Sequence, residues 1–356
     1  MAYTTIDNPE LYFQTKLYTG DGNSTLAITF DGSENMQPDW VWIKCRTITH
    51  NHVLSDVVTS ATKVLGSNLT STEGTQTTGL KSFDTNGFTL GNWDNVNDAS
   101  DPFVSWNWKA GTSFTNDASS TGVGSIDSAG SVNQDAGFSI IGYSGDTSDA
   151  PSTVAHGLSQ KPEMMFIKRR TSTGQWIVYN KTIGATHNLH LDSTDASSAY
   201  QYFFNNTEPT SSVFTVGDDG ESNKTGSNYI AYCFHSVQGY SKIGGSYVGN
   251  GNVNGNYIHL GFKPALIILK GASGSGSTEN WSMYDNKRTG FNVDNNVLYP
   301  NANSAEGTSD DIDLLSNGFK IRRQTGLLND SAVTYIYMAF AENPFVTSTG
   351  VPATAR

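Results

Sequence analysis

The chain is short of the residues that usually carry chemistry or reach a membrane. Among 356 residues only two are cysteine, Cys45 and Cys233. They fall at different points of the repeated pattern described below, so no structural disulfide is expected between them. Charge is scarce, at 15% of residues, and mostly of one sign: 33 acidic against 21 basic side chains, net −12. Affinity for nucleic acid rests on Lys and Arg neutralising phosphates, so this balance excludes DNA and RNA as expected partners. The one basic run, Lys168-Arg169-Arg170, reads as a solvated strand end. No apolar run approaches the ~20 residues that span a bilayer, so no membrane insertion is expected. The start, Met1-Ala-Tyr-Thr-Thr-Ile6, lacks the basic and apolar regions of a secretion signal. Synthesis in a reducing cytoplasm is the expectation. Helical periodicity is nearly missing too, and only Ser60–Leu65 and its counterparts hint at a turn of helix.

What is present is glycine (36), tyrosine (16) and phenylalanine (17), with many Ser, Thr and Asn. Short apolar runs separated by Gly, Asn and Asp read as antiparallel strands joined by tight turns. One run occurs three times: Pro38-Asp-Trp-Val-Trp-Ile-Lys44, Pro162-Glu-Met-Met-Phe-Ile-Lys168 and Pro264-Ala-Leu-Ile-Ile-Leu-Lys270. Proline cannot donate to a sheet ladder, which suits the first residue of a strand. The lysine is expected to close the strand at the water boundary.

The flanks repeat in the same order. A Tyr-x-Gly-Asx turn lies upstream at Tyr18–Asp21, Tyr143–Asp146 and Tyr247–Asn250, with Tyr-to-Pro separations of 20, 19 and 17. Downstream come strands ending at Asp56, Asn180 and Asp285, which lie 18, 18 and 21 residues past the proline. Strands around Phe88, Phe214 and Phe319 follow. Last are aromatic strands starting at Phe103, Tyr229 and Tyr335, 65, 67 and 71 residues past the proline. Ordered matches at near-constant spacing mark an internal repeat of roughly 100 residues.

The expected fold is therefore all-β: three tandem antiparallel β-sandwich repeats of jelly-roll or lectin-like form. The expected boundaries are an N-terminal arm at 1–12, repeats at 13–110, 137–238 and 239–345, and a tail at 346–356. Residues 111–136, rich in Ser, Gly and Asp, read as a linker or surface connection. They make the first two tyrosines 125 residues apart (Tyr18 to Tyr143), against 104 for the next pair (Tyr143 to Tyr247). Trp40 and Trp42 alternate with Val41, so both indoles share one strand face, as do Trp106 and Trp108. A ring of that size buries ~150–250 Å², worth roughly 4–6 kcal/mol, which makes that face the expected core.

The wording of Pro38–Lys44, Trp106-Asn-Trp-Lys-Ala-Gly111, Asn133–Ile140, His156-Gly157 and Tyr335–Phe345 resembles a domain of tailed phages, common in phages of marine bacteria. The resemblance covers nearly the whole chain. It implies a tail-fibre or other virion structural protein at the particle surface, with other virion proteins and a host surface glycan as partners. Capsid decoration or a head fibre is the alternative, and a glycan depolymerase the second. No catalytic residue and no cofactor come with the resemblance. Only twelve residues precede the first repeat and there are no heptads, so a knob or tip is expected rather than a whole fibre. Phage appendages commonly close with cyclic symmetry, and a homotrimer is the expected assembly.

Of the residues that could do chemistry, Asp56, Asn180 and Asp285 share one repeat position. Asparagine cannot transfer a proton, so the set reads as turn caps. His187 and His190, three apart in a strand, point to opposite faces and do not share a metal. His156 and His259 precede the proline motif in the second and third repeats, and the first has no match, which reads as a tolerated strand position. The loop Gly91-Asn-Trp-Asp-Asn-Val-Asn-Asp98 is the candidate carbohydrate site, through Trp93, Asp94 and Asn95. An indole beside amides and carboxylates offers a stacking face and hydrogen-bonding edges. Its oxygens are also of the kind that holds Ca²⁺, although the EF-hand spacing is missing. The competing reading folds Trp93 back onto the protein. No nucleophile elbow, phosphate loop or zinc-type spacing occurs, and a non-enzymatic protein is expected.

Overall fold

Strand accounts for 45% of the chain and helix for 3%, arranged as several antiparallel sheets with no barrel. The computed structural model describes residues 2–146, 151–274, 278–288, 292 and 294–352. The last four residues of the tail and Met1 of the arm lie outside them.

Three large sheets share one core order of strands. In the first, Phe13–Thr19, Pro102–Trp108, Trp40–Cys45 and Val53–Asp56 are neighbours in that order. In the second the order is Phe138–Ser144, Asn228–Phe234, Met164–Arg169 and Ile177–Asn180. In the third it is Ser241–Val248, Thr334–Pro344, Phe262–Ser273 and Ser282–Asp285. The proline-motif strand is thus paired on both sides, which places its apolar run at the middle of each sheet. A smaller sheet accompanies each, and in all three a phenylalanine occupies the matching register: Ile28 faces Phe88, Val154 faces Phe214, and Ile258 faces Phe319.

Both faces of the motif strand are buried, because its residues serve two cores. Val41 and Ile43 pack with Ile28, Phe88 and Leu90. Met165 and Ile167 pack with Val154 and Phe214, and Ile267 and Leu269 with Ile258 and Phe319. The alternate residues point the other way, into one central cluster shared by all three sheets: Trp40 and Trp42, Met164 and Phe166, Leu266 and Ile268. There Trp40 stacks on Tyr232 at 4.4 Å and Phe13 on Phe340 at 5.2 Å, joining different sheets. The two indoles of Trp40 and Trp42 do share a face. That face is the meeting point of the three sheets, not the core within the first.

Four sequence expectations are corrected. Lys44, Lys168 and Lys270 are not at the water boundary: all are 0% exposed. Ser60–Leu65 is a strand. Residues 111–136 are not a bare linker, since Thr112–Asn116 and Ser128–Asn133 pair with each other and extend the second sheet. Between those strands Ala118–Thr121 makes one helical turn, capped by the Asp117 side chain. Finally, Lys168-Arg169-Arg170 is not a free, solvated strand end: Lys168 is buried, both arginines are half-buried, and the three cations bond carbonyls of Leu69, Gly174, Thr173 and Gly220, and the carboxylate of Glu73. The arm is tied down as well. Ile6 is buried, Tyr3 donates to the Gly261 carbonyl, and Thr4 to that of Gln238.

Candidate functional site

The loop that carries Trp93 is pinned from below. Asn97 is fully buried, and its amide donates to the Gly91 carbonyl at 2.9 Å and to the Asp21 carboxylate and Asn23 carbonyl at 3.1 Å. The short helix Asp94–Asn97 follows, with the Val96 and Asn97 N–H groups donating to the Trp93 carbonyl. Trp93 is half-buried, leaning on the core beneath the first small sheet. With Asn95, His52 and Leu69 it lines a cleft of about 170 Å³. Asp94 is exposed and is not part of that lining. So the structure brings Trp93 and Asn95 together and leaves Asp94 outside.

Asn97 has counterparts that the sequence did not reveal, because single asparagines in polar loops carry no pattern. Asn223 and Asn329 are likewise fully buried, and each accepts the backbone N–H that closes the Tyr-x-Gly-Asx turn. The turn tyrosines stack on the aromatic strand opposite: Tyr18 on Phe103 at 5.2 Å, Tyr143 on Tyr229 at 5.0 Å, Tyr247 on Tyr335 at 5.1 Å.

The polar groups between the sheets form a cycle. Trp176 of the second sheet donates its indole N–H to Gly66 O of the first part, at 2.8 Å. Trp281 of the third donates to His190 O of the second, at 2.9 Å. At the matching place in the first, His52 lies 3.0 Å from Tyr299 O of the third through Nε2, while its Nδ1 accepts from the Trp42 indole at 2.8 Å. Burial, helped by Lys44, pulls His52 down to about 3, so it stays neutral and carries its proton on Nε2. Backbone links close the same cycle with donors running the opposite way: Glu73 N to Arg170 O, Ser197 N to Ala272 O, Glu306 N to Arg46 O. The buried lysines add to it, Lys168 bonding Leu69 O at 3.2 Å and Lys270 bonding Thr194 O at 3.1 Å. Burial brings all three lysines down to about 8.

The triad of turn caps belongs to this cycle. Asp56 accepts from Val58 N and Thr59 N, and from the Tyr232 hydroxyl of the next sheet at 2.7 Å. Asp285 accepts from Lys287 N and Arg288 N, and from the Trp106 indole at 3.0 Å. Asn180 accepts from Thr182 N. In the aromatic strand the register position of Trp106 and Tyr232 is taken in the third sheet by Met338. Methionine has no donor. The amide at Asn180 is therefore the neutral form of a cap whose cross-sheet donor is missing.

The other candidates stay apart. His187 meets Thr186 and His190 meets Asn188, each through its own ring. His156 is buried against Thr210 O and pulled down to about 4 by burial, whereas His259 is exposed. Cys45 and Cys233 are free and buried, and burial pushes the Cys233 thiol up to about 12. Among the described residues no three His, Cys, Asp or Glu side chains are arranged to hold a metal ion.

A family model described as a domain of unknown function, DUF7483, matches residues 8–344, and the chain belongs to that family. The match runs across all three large sheets. No curated protein matches, and no solved structure does.

Proposed function

We propose that this member of DUF7483 is a non-enzymatic virion surface protein built from three tandem antiparallel sandwiches of jelly-roll or lectin-like form. Two lines support the architecture: the shared strand order, and the cyclic contacts that run from each part of the chain to its predecessor. The three copies close into a ring around one aromatic centre. Such a body works by presenting shaped surfaces, either to a host glycan or to neighbouring capsid or tail subunits.

The observation that carries this reading is the use made of the buried polar groups. Asp56 and Asp285, the indoles of Trp106, Trp176 and Trp281, His52 and the three lysines all bond a turn or a neighbouring part of the chain, which stiffens a scaffold and leaves its loops free to recognise. A homotrimer of such rings would meet through outer surfaces, because the inward faces are already paired within the chain. Host attachment is the preferred role. Immunogold labelling of particles places the protein on the tail or the head, and competition by the purified protein measures its part in adsorption. Absence from the particle would overturn the reading. Head labelling with no effect on adsorption would replace attachment by decoration.

A further inference from the structure

The segment 111–136 has no counterpart in the other two parts of the chain, and the ring closes without it. The first and third large sheets have Phe13–Thr19 and Ser241–Val248 at one edge, where the second continues into two more strands. Those strands carry the sheet out beyond the central cluster. On the face that continues the cluster, register puts Thr115, Ala129 and Gly142 in one row, and Ser113 and Ser131 beside the core residue Ile140 in the next. Ser144 follows on the same face by alternation. On this face every residue of the extension is small. Phe114, Val132 and Tyr143, on the other face, pack into the second sheet's own core.

The small residues make the floor of a trough. Val58, from the first sheet's turn, overhangs Gly142 so closely that a methyl group there would touch it. Two clefts share Val58 and Ala129 as walls, one of about 740 Å³ and one of about 370 Å³. The larger falls in the ~300–1,000 Å³ range of small-molecule sites. Asp127, Asp146 and Asn228 stand exposed on its rim beside the Ser125 and Ser144 hydroxyls. Arg170 also borders it, with its charge matched by Glu73 in a two-pronged pair at 2.6 and 3.1 Å.

This chemistry discriminates. Exposed carboxylates and amides bond hydroxyl pairs, and a floor of Ala, Gly and Ser lets a flat ring approach the sheet. The remaining rim charge is negative, which repels sulfated or uronic chains. A floor without large apolar side chains gives a lipid nothing to bury. We propose that the trough binds a neutral oligosaccharide. The proposal deepens the attachment reading and rests on it.

The test uses the full chain on arrayed neutral and uronic-acid oligosaccharides, with fluorescently labelled protein on host cells in parallel. Wild type is expected to bind neutral members. Ala129→Trp, which fills the floor from an exposed position, should weaken that binding about tenfold or more at an unchanged melting temperature. Asn228→Ala, on the rim, gives a second variant should the tryptophan lower stability. Array binding by neither neutral member nor cell, binding of acidic saccharides alone, or full binding by both trough variants would overturn the proposal. If the trough variants still bind cells as wild type does, the trough falls and attachment stands. If wild type binds the neutral array and not the cells, the trough stands and host attachment falls.

Discussion

The seam between the first and third sheets and the seam between the second and third both join aromatic rings, Phe13 with Phe340 and Phe166 with Trp281, but differ in polar chemistry. At the first–third seam four charges meet. Arg46 of one side and Arg288 of the other both bond Glu306, and Arg288 bonds Asp285, which also takes the Trp106 indole. Arg288 and Asp285 are fully buried there. Among the described residues no ion pair crosses the second–third seam. The matching backbone link joins Ser197 to Ala272, and the matching cap is Asn180. The difference follows the covalent chain. Strands Asn228–Phe234 and Ser241–Val248 are joined by residues 235–240 alone, which holds the second and third sheets together whatever their contacts. The first and third have no such link, so geometry-specific contacts must select their register. Forked guanidinium–carboxylate pairs supply that selectivity. The first–second seam keeps one such pair, Arg170–Glu73, although residues 109–111 alone join Trp108 to the second sheet at Thr112.

The largest expected effect tests the charged seam. Arg288→Ala strands the buried Asp285 carboxylate and should cost about 3–5 kcal/mol, read from urea unfolding. An equal loss for Ser197→Ala, whose place in the other seam is held by its backbone, would dissolve the contrast.

The lysines are what the three sheets share, and they set a pH dependence. Their folded values near 8 lie below the ordinary ~10.4, so the unfolded chain binds more protons between the two. Stability must then rise with pH from about 8, by up to about 1 kcal/mol per lysine per pH unit. Cys233 opposes the rise with a single proton, and the buried tyrosines, whose values are raised, reverse it above about pH 10. Melting temperature is expected to peak on the alkaline side, and Lys168→Met and Lys270→Met should each flatten the rise equally. Unequal flattening would show that the seams differ here too.

Asn180→Asp places a carboxylate where no cross-sheet donor exists and should cost about 1–3 kcal/mol. The cost should shrink below the pH at which the new acid protonates. Adding Met338→Tyr, which copies Tyr232, should recover part of it, and a double-mutant cycle measures the coupling. The smallest effect is expected for Arg170→Met, about 1–2 kcal/mol, since its pair with Glu73 is partly hydrated. A loss as large as that of Arg288→Ala would place the two seams in one class.

How much of this was legible in the sequence depended on whether a contact is local. Proline-led strands, turn tyrosines and the shared face of Trp40 and Trp42 follow from alternation and order. That both faces of the motif strand are buried does not, because Trp-Val-Trp-Ile is apolar at every position and reads the same with one partner or two. The buried lysines were misread for a related reason: only the approach of a neighbouring part of the chain turns a strand end into an interior. Residues 111–136 form strands with few apolar side chains because backbone bonding to an existing edge suffices. In the candidate site, Trp93 stood out by its lack of apolar neighbours in sequence, yet its neighbours in space come from other strands.

The arm and tail meet: the Asp7 side chain accepts from Ser348 N at 2.6 Å and from its hydroxyl. Asp7 of the arm and Ser348 of the tail are therefore held together, on the side of the first sheet where Phe13 pairs with Trp108. The Tyr-x-Gly-Asx turns lie a seven-residue strand away, roughly 20 Å. A pull on Asp7 or Ser348 is expected to enter at that one side and to reach the central cluster along the strands of the sheets. A tether through the arm or the tail would hold that side and leave the far turns, with the rim residue Asp146 among them, pointing away from it.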